Sequence, residues 1–590
     1  MYGFHGNVLH IDLAHQTTSI EAIPDDILKS YLGGKGLGTY LLLKHLPAGV
    51  DPLSGANCLV FATGPATDTV VPAASRFGVY AKSPLTGFLG ESYSGGHVPP
   101  VMKRTGYDAF VIKGVAEAPV FLHISDRGVS FEAADDLWGQ PTDVAERALL
   151  DRVDDPKAQA LVIGPAGENQ VRFACIKNNQ WRSAGRSGLG AVMGAKRLKG
   201  LVFSGKQRAA LADPDALDAY TKSLIAEYRD HERTRRMKKY GTPYMTKVTN
   251  REHAFPTRYW SAGRLEGWEG LSAERMHEVM DVRPNACYRC FMACGKMSRV
   301  TKGRHKGLTL EGPEYETIFA LGGICGINEI EEVAYLNDLC DKLGIDTISA
   351  GNLAAFGIEA GKRGVLHEQA QYGDADAIAR VFQAIAHRKG EGDLLAQGVR
   401  EAARAVGLED IAVHVKGMDP AGYDPRRLRG MSLGYAVSSR GACHLRSSYY
   451  MEELSGMAPE DTSSRTARFV MFESRNALED SLVLCRFYQQ FIGWSGMKTI
   501  IEATTGMACS HDDLQSMGRR LTTLAKHFNL REGWTRSDDN LPRRIFEEPI
   551  GPNEEFRITR DEFEAMLAEY YRLHGWNLEG IPPEHAQPLT

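Results

Sequence analysis

The chain has 590 residues, 43% hydrophobic and 24% charged, with a formal net charge of −5. This length and composition imply several domains with sizeable cores, and the mild acidity without a long basic run sets aside nucleic acid and anionic membranes as partners. Ten cysteines, none in evenly spaced pairs, suit a reducing compartment, so a cytoplasmic location is expected. The opening MYGFHGNVLHIDLAHQ alternates like a strand without the flanks of a signal peptide, and no apolar stretch reaches the ~20 residues of a bilayer span.

Residues 1–208 are rich in Gly, Val and Thr, with short alternating runs such as NCLVFATG, RFGVYAKS and DAFVIKG bounded by turn residues, which predicts a sheet-dominated domain. Within it LGGKGLG at 32–38 lacks both dinucleotide and P-loop spacing and reads as a tight turn feeding a helix. The glycine-rich stretch 163–200 carries Arg182 and Arg186, and Arg76 lies upstream. Glycine admits backbone N–H groups to an anion and arginine adds bidentate contacts, so a cradle for a phosphorylated cofactor is expected.

Asp213-Pro214 reads as a helix N-cap and first-turn proline, opening one long helix that Gly241 ends. A domain 209–415 and a domain 416–590 follow, both mainly helical by their three- and four-residue apolar spacing. In DKLGID, Gly344 reads as a helix C-cap and Asp346 as the next N-cap. That puts Asp341 and Asp346 on a short interhelical loop, where carboxylates can accept hydrogen bonds from ligand N–H groups. DSLVLC, from Asp480 to Cys485, is a related signature, and Glu314, Glu316, Tyr423 and His444 are polar residues beside apolar or glycine-rich runs.

Cys287, Cys290 and Cys294 form a C-x-x-C-x-x-x-C loop whose soft thiolates suit an iron–sulfur cluster. Structural zinc is the alternative, although no second C-x-x-C supplies its matched pair. Spacing does not choose the fourth ligand among Cys325, Cys340, Cys443, Cys485 and Cys509.

Taken in order, NVLHIDL, SRFGVYAKSPLTGF, GPAGEN, CYRCFMAC, EGPEYE, DKLGID, DSLVLC and LPRRIFEEP resemble the tungsten-containing aldehyde ferredoxin oxidoreductase family over nearly the whole chain. The resemblance implies an α+β fold, with a β-rich base domain for a tungsten or molybdenum bis-molybdopterin under two mainly helical domains. It implies one 4Fe-4S cluster on Cys287, Cys290, Cys294 and Cys485. It further implies cofactor contacts from Arg76, Tyr93, Gly95, Arg182, Ser183, Asp341, Gly344, Ile345, Asp346, Asp480 and Leu484, with a magnesium ion bridging the pterin phosphates near Tyr93 and Ser183. Val483 stands where the second signature usually has glycine.

Glu316 would be the catalytic carboxylate, with His444 and Tyr423 lining the site. The activity implied is oxidation of a small aldehyde to its acid, with electrons leaving to ferredoxin or an iron–sulfur subunit, in a homodimer or hetero-oligomer. Reduction of aryl-CoA thioesters within the same fold, and a non-catalytic iron–sulfur or zinc scaffold, are the competing expectations.

Overall fold

The alternating runs of the first 208 residues build two six-stranded sheets in the computed structural model, which describes residues 1–367 and 370–586. The first contains β1 (Asn7–Asp12), β2 (Thr17–Ala22), β3 (Leu59–Ala62), β4 (Phe77–Lys82), β5 (Leu89–Ser94) and β6 (Ala109–Lys113), in the order β2-β1-β6-β3-β4-β5. The second contains β7 (Val120–Ser125), β8 (Gly128–Ala133), β9 (Gln159–Val162), β10 (Ile176–Asn178), β11 (Arg182–Ala184) and β12 (Leu198–Ser204), in the order β11-β10-β9-β12-β7-β8. Only β1/β6 and β7/β12 pair in parallel within these two sheets.

Period-two alternation sends β1, β3, β4 and β6 of the first sheet into two cores. Leu9, Ile11, Phe61, Phe77 and Val79 meet Leu122, Ile124, Leu161 and Phe203 of the second sheet. Val8, Val60, Ala62, Tyr80 and Val111 face the helix Gly34–His45 and late-chain residues such as Leu478, Leu482 and Leu521. The first sheet therefore runs between its partner sheet and the C-terminal helices, which places the end of β5 beside both.

The rest is mainly helical, as the apolar spacing predicts, with two departures. The single helix expected to run to Gly241 is two helices, Pro214–Tyr228 and Glu232–Tyr240. His231 takes extended backbone and caps the second by accepting from the Arg233 N–H, a capping competition that a run of charged residues hides. The second departure is a three-stranded sheet of β13 (Met280–Asn285), β14 (Gly295–Val300) and β15 (Thr309–Glu311) inside the helical part. The cysteine loop is the β13–β14 connection, so a ladder closed from Met280↔Val300 to Asn285↔Gly295 fixes both its ends.

Candidate functional site

Cys287, Cys290, Cys294 and Cys485 are half-buried, whereas the other six cysteines are buried. Burial comes first in raising the Cys287, Cys290 and Cys294 thiols, Cys290 to about 11, and the charge of Cys485 adds to each. The structure thus brings Cys485 to the loop. Tyr488, one turn beyond Cys485, stitches the two segments: its hydroxyl lies 3.2 Å from Cys290 Sγ and accepts the N–H groups of Phe291 and Met292.

Among the described residues the one group of three or more candidate ligands whose atoms all lie within 4.8 Å of one another is elsewhere, at His10, Glu21 and His45. The four sulfurs are therefore spread wider than the about 3.8 Å that tetrahedral zinc with 2.3 Å bonds requires. A larger group fits them.

The β5–β11 side closes over this pocket. Arg182 on β11 donates to Cys287 Sγ at 3.0 Å and to Glu311 at 2.6 Å, and the Gly96 N–H donates to the same sulfur at 3.3 Å. A Cβ at Gly95 would sit 3.1 Å from that sulfur, close enough that one of the two would have to shift by a few tenths of an ångström. Ser183 accepts from Lys177 Nζ at 2.6 Å, and Lys177 pairs with buried Asp341. Burial raises Asp341 to about 6, against the pull of Lys177. Arg76 is half-buried just ahead of β4, and its charge reaches Cys287.

Both aspartate signatures sit at helix ends. Gly344 is the left-handed C-cap (φ 76°) of Ile330–Leu343, and Asp346 caps Thr347–Lys362 by accepting from Ile348 N at 3.1 Å. Asp346 also takes Arg186 Nε at 3.1 Å, so capping and ion pairing share one carboxylate. The Ile345 segment is pinned to the base domain by a bridge between Ile345 and Ala174.

Asp480 lies in the last turn of Thr462–Ser481, bonded to Arg486 (2.7 Å) and lying 2.8 Å from Arg446. The Leu484 N–H donates to Glu479 O, and the Cys485 N–H donates to Ala73 O. Val483 adopts φ 51°, a left-handed backbone that glycine takes freely and a β-branched residue does not. Its methyl groups rest over Gly34 and Gly64, where added Cβ atoms would come within 2.9 and 2.8 Å. The LGGKGLG turn is therefore the floor of the Asp480–Cys485 loop.

Lys35 from that turn reaches Glu91 on β5 with 2.8 Å contacts to both oxygens. Tyr93 donates to Glu91 at 2.9 Å, Arg446 lies 3.0 Å away, and Arg440 donates to the Glu91 carbonyl at 2.6 Å. Burial alone would raise Glu91, but Arg446, Lys35 and Arg440 hold it well below the carboxylate range.

Glu316, His444, Tyr423 and Tyr450 form a second cluster, and the charges of Arg440, Arg186 and Arg446 reach its histidine. Glu316 begins at the helical turn Tyr315–Thr317, which runs straight into a π-helix, Ile318–Gly323, a local widening frequent at functional sites. Its Oε2 accepts from Gly422 N at 2.9 Å, while Oε1 faces His444 Nε2 at 3.3 Å without a hydrogen bond. Burial raises Glu316 to about 8 and pushes His444 well below its ordinary value. Tyr423 stacks on Tyr450 with ring centroids 3.9 Å apart and lies 5.3 Å from the His444 ring. Glu314, two residues earlier, points the other way, accepting from Thr242 and bearing on Cys294.

Sequence comparison places this assembly. Residues 8–205 match the N-terminal domain model of aldehyde ferredoxin oxidoreductase, and residues 219–587 match the model of its domains 2 and 3. The chain belongs to the aldehyde ferredoxin oxidoreductase family.

It is 35% identical to the tungsten-containing aldehyde ferredoxin oxidoreductase of Pyrococcus furiosus, covering 100% of this chain and 99% of the relative. The aliphatic sulfonate oxidoreductase WOR-like subunit of the same organism is 30% identical, over 99% of this chain and 96% of the relative. The active-site complex BamBC of benzoyl-coenzyme A reductase, solved with 1,5-dienoyl-CoA, shares the fold with a TM-score of 0.86 and 23% identity, over 99% of this chain and 96% of that one. No helix among the described residues is long and apolar enough to cross a membrane.

Membership of the aldehyde ferredoxin oxidoreductase family implies a tungsten or molybdenum pterin and an iron–sulfur cluster, and the donor set fits both. Glu316 Oε1, His444 Nδ1, Asp480 Oδ2, Arg440 Nε and Arg446 Nε are buried without a hydrogen-bond partner. Buried polar groups normally find partners, and although orphaned atoms also occur elsewhere among the described residues, these five come from segments that converge on the site, which fits a polar occupant. Lys35, Glu91, Lys177, Arg440, Arg446 and Tyr450 also converge on this candidate site, and none of them is singled out by the sequence. SSRGACHLRSSYY, with two arginines flanking His444 by four and two residues, held a usable signal. Lys35 and Glu91 carried none.

Proposed function

We propose that the chain is a tungstopterin iron–sulfur enzyme that oxidises aldehydes to carboxylic acids. The observation that carries this reading is Glu316: a buried carboxyl with one oxygen bonded to Gly422, the other free, and an ordinary pKa of 4.5 lifted to about 8. Asp341, Asp346 and Asp480, with the backbone at Gly344, Ile345 and Leu484, would hold the pterins. Arg76, Arg182 and the main chain near Tyr93, Gly95 and Ser183 would hold the phosphates and a bridging magnesium. Cys287, Cys290, Cys294 and Cys485 would hold one 4Fe-4S cluster. When bound, the metal centre supplies a Lewis acid and a two-electron acceptor.

The chain's own residues supply the rest. Glu316 holds a proton below about pH 8 and releases it above, which suits it to take a proton from attacking water. His444 stays neutral. With Nε2 turned to Glu316, its Nδ1 is the atom left to hydrogen-bond a substrate oxygen. Tyr423 and Tyr450 form an apolar wall that keeps bulk water from the carbonyl. A cluster held by Cys287, Cys290, Cys294 and Cys485 would supply one-electron transfer toward ferredoxin or an iron–sulfur subunit, and Arg182 bonds Cys287 of that pocket to the base domain. The name of the Pyrococcus relative supports both the substrate class and this acceptor.

The test is an anaerobic screen of aldehydes with a viologen acceptor, beside aryl-CoA thioesters with a low-potential donor. Aldehyde-dependent reduction of the viologen is expected. Turnover of aryl-CoA thioesters alone would replace this reading with ring reduction.

A further inference from the structure

We propose that His10, Glu21 and His45 form a transition-metal site of the zinc class, independent of the cofactor seam and serving to pin the edge of the first sheet. His10 lies on β1 and Glu21 on β2, where Glu21 pairs with Val8 and so shares the face of His10 on the diagonal. Val8 belongs to the core under the helix Gly34–His45, and His45 is the last residue of that helix. Strand register and helix length thus bring three ligands, two imidazoles and a carboxylate, to one point. In the strand order β1 is four places from β5, which is roughly 19 Å at about 4.8 Å per strand.

The geometry is near what a metal asks for. His10 Nε2 and His45 Nε2 both lie near Glu21 Oε2, at 2.7 and 3.0 Å. Tetrahedral zinc with bonds of about 2.0–2.1 Å spaces its ligand atoms by about 3.3 Å, so the two His–Glu spacings would open by roughly 0.3–0.6 Å, and all three atoms already lie within 4.8 Å of one another. The other carboxylate oxygen is taken by Lys44 Nζ at 2.8 Å, which leaves Oε2 to the two imidazoles.

His10 makes a hydrogen bond there, but His45 Nε2 is a buried nitrogen with none. One cation between the three atoms satisfies what the ion pair leaves open. The side chains are 20%, 25% and 18% exposed, enough for entry and for water in the fourth position. The consequence is structural. β2 is otherwise an exposed edge strand, and the metal would tie it to the helix end.

The experiment uses the cluster-loaded holoenzyme, so that the four cysteines do not compete. After dialysis against zinc and desalting, zinc per chain is measured by mass spectrometry, affinity by calorimetry, and position by anomalous diffraction at the zinc edge. One zinc at these three residues is expected. His10→Ala and His45→Ala each weaken binding by about 100-fold or more and abolish the zinc-induced rise in thermal midpoint seen in the parent. Equal zinc content and affinity in parent and both variants, or no zinc in the parent, would overturn the proposal and leave an ion-pair knot only.

Discussion

Glu316 shows how much one buried carboxyl can carry. Burial raises it to about 8, so between pH 4.5 and about 8 the folded chain binds a proton that the unfolded chain releases. The sign follows: this group makes folding progressively less favourable as pH rises through that window, and the cost is retained for reactivity. As the proton acceptor it predicts kcat/KM rising with pH along a limb near 8. Glu316→Gln should flatten that limb and lower turnover by about 10²- to 10⁴-fold while metal content is unchanged. A variant that keeps its metal and full rate would remove Glu316 from the chemistry. The capping roles of Gly344 and Asp346 were legible from sequence because a cap is a local event. The pairing of Asp346 with Arg186, 160 positions away, was not, because no spacing encodes it.

At the scale of elements, the helix Gly34–His45 is the piece whose importance the sequence concealed. LGGKGLG reads correctly as a turn into a helix, yet Gly33 and Gly34 serve a contact with residues 480–483. A Cβ on Gly34 would fall 2.1 Å from the Asp480 carbonyl oxygen and 2.9 Å from Val483. Gly34→Ala should therefore displace the Asp480–Cys485 loop. Lower pterin and iron content is expected with near-parental circular dichroism; full cofactor content would show that the loop tolerates the shift.

Lys35 lies one residue on, 4% exposed, against a Glu91 that is 0% exposed. Lys35→Met leaves that carboxylate short of a cation, and removing one partner of a buried pair costs about 3–5 kcal/mol. Chemical denaturation should read a loss of that order, with Arg446 limiting it. An unchanged midpoint would mean that Arg446 alone suffices. The β13–β14 ladder was equally hidden, since six residues on either side of a cysteine loop carry too little alternation to announce strands.

For the whole molecule, the first sheet is the frame on which everything else is placed. One face packs on the second sheet, the other on the C-terminal helices, and β5 presents Glu91 and Tyr93 to the polar seam while the Gly95–Gly96 turn meets Cys287. Fold class was legible because period-two and three-to-four-residue patterns survive in long runs. The seam was only partly legible, because cations from separate segments meet on folding, among them Lys35, Lys177, Arg186, the Arg440–Arg446 loop and Arg486.

The reading of that seam as a pterin and cluster site is tested most directly by elemental analysis of protein purified without oxygen from a host that makes tungstopterin. About one tungsten and about four irons per chain are expected, with the iron lost in Cys485→Ala. Protein holding neither tungsten nor molybdenum, with iron unaffected by Cys485→Ala, would contradict it.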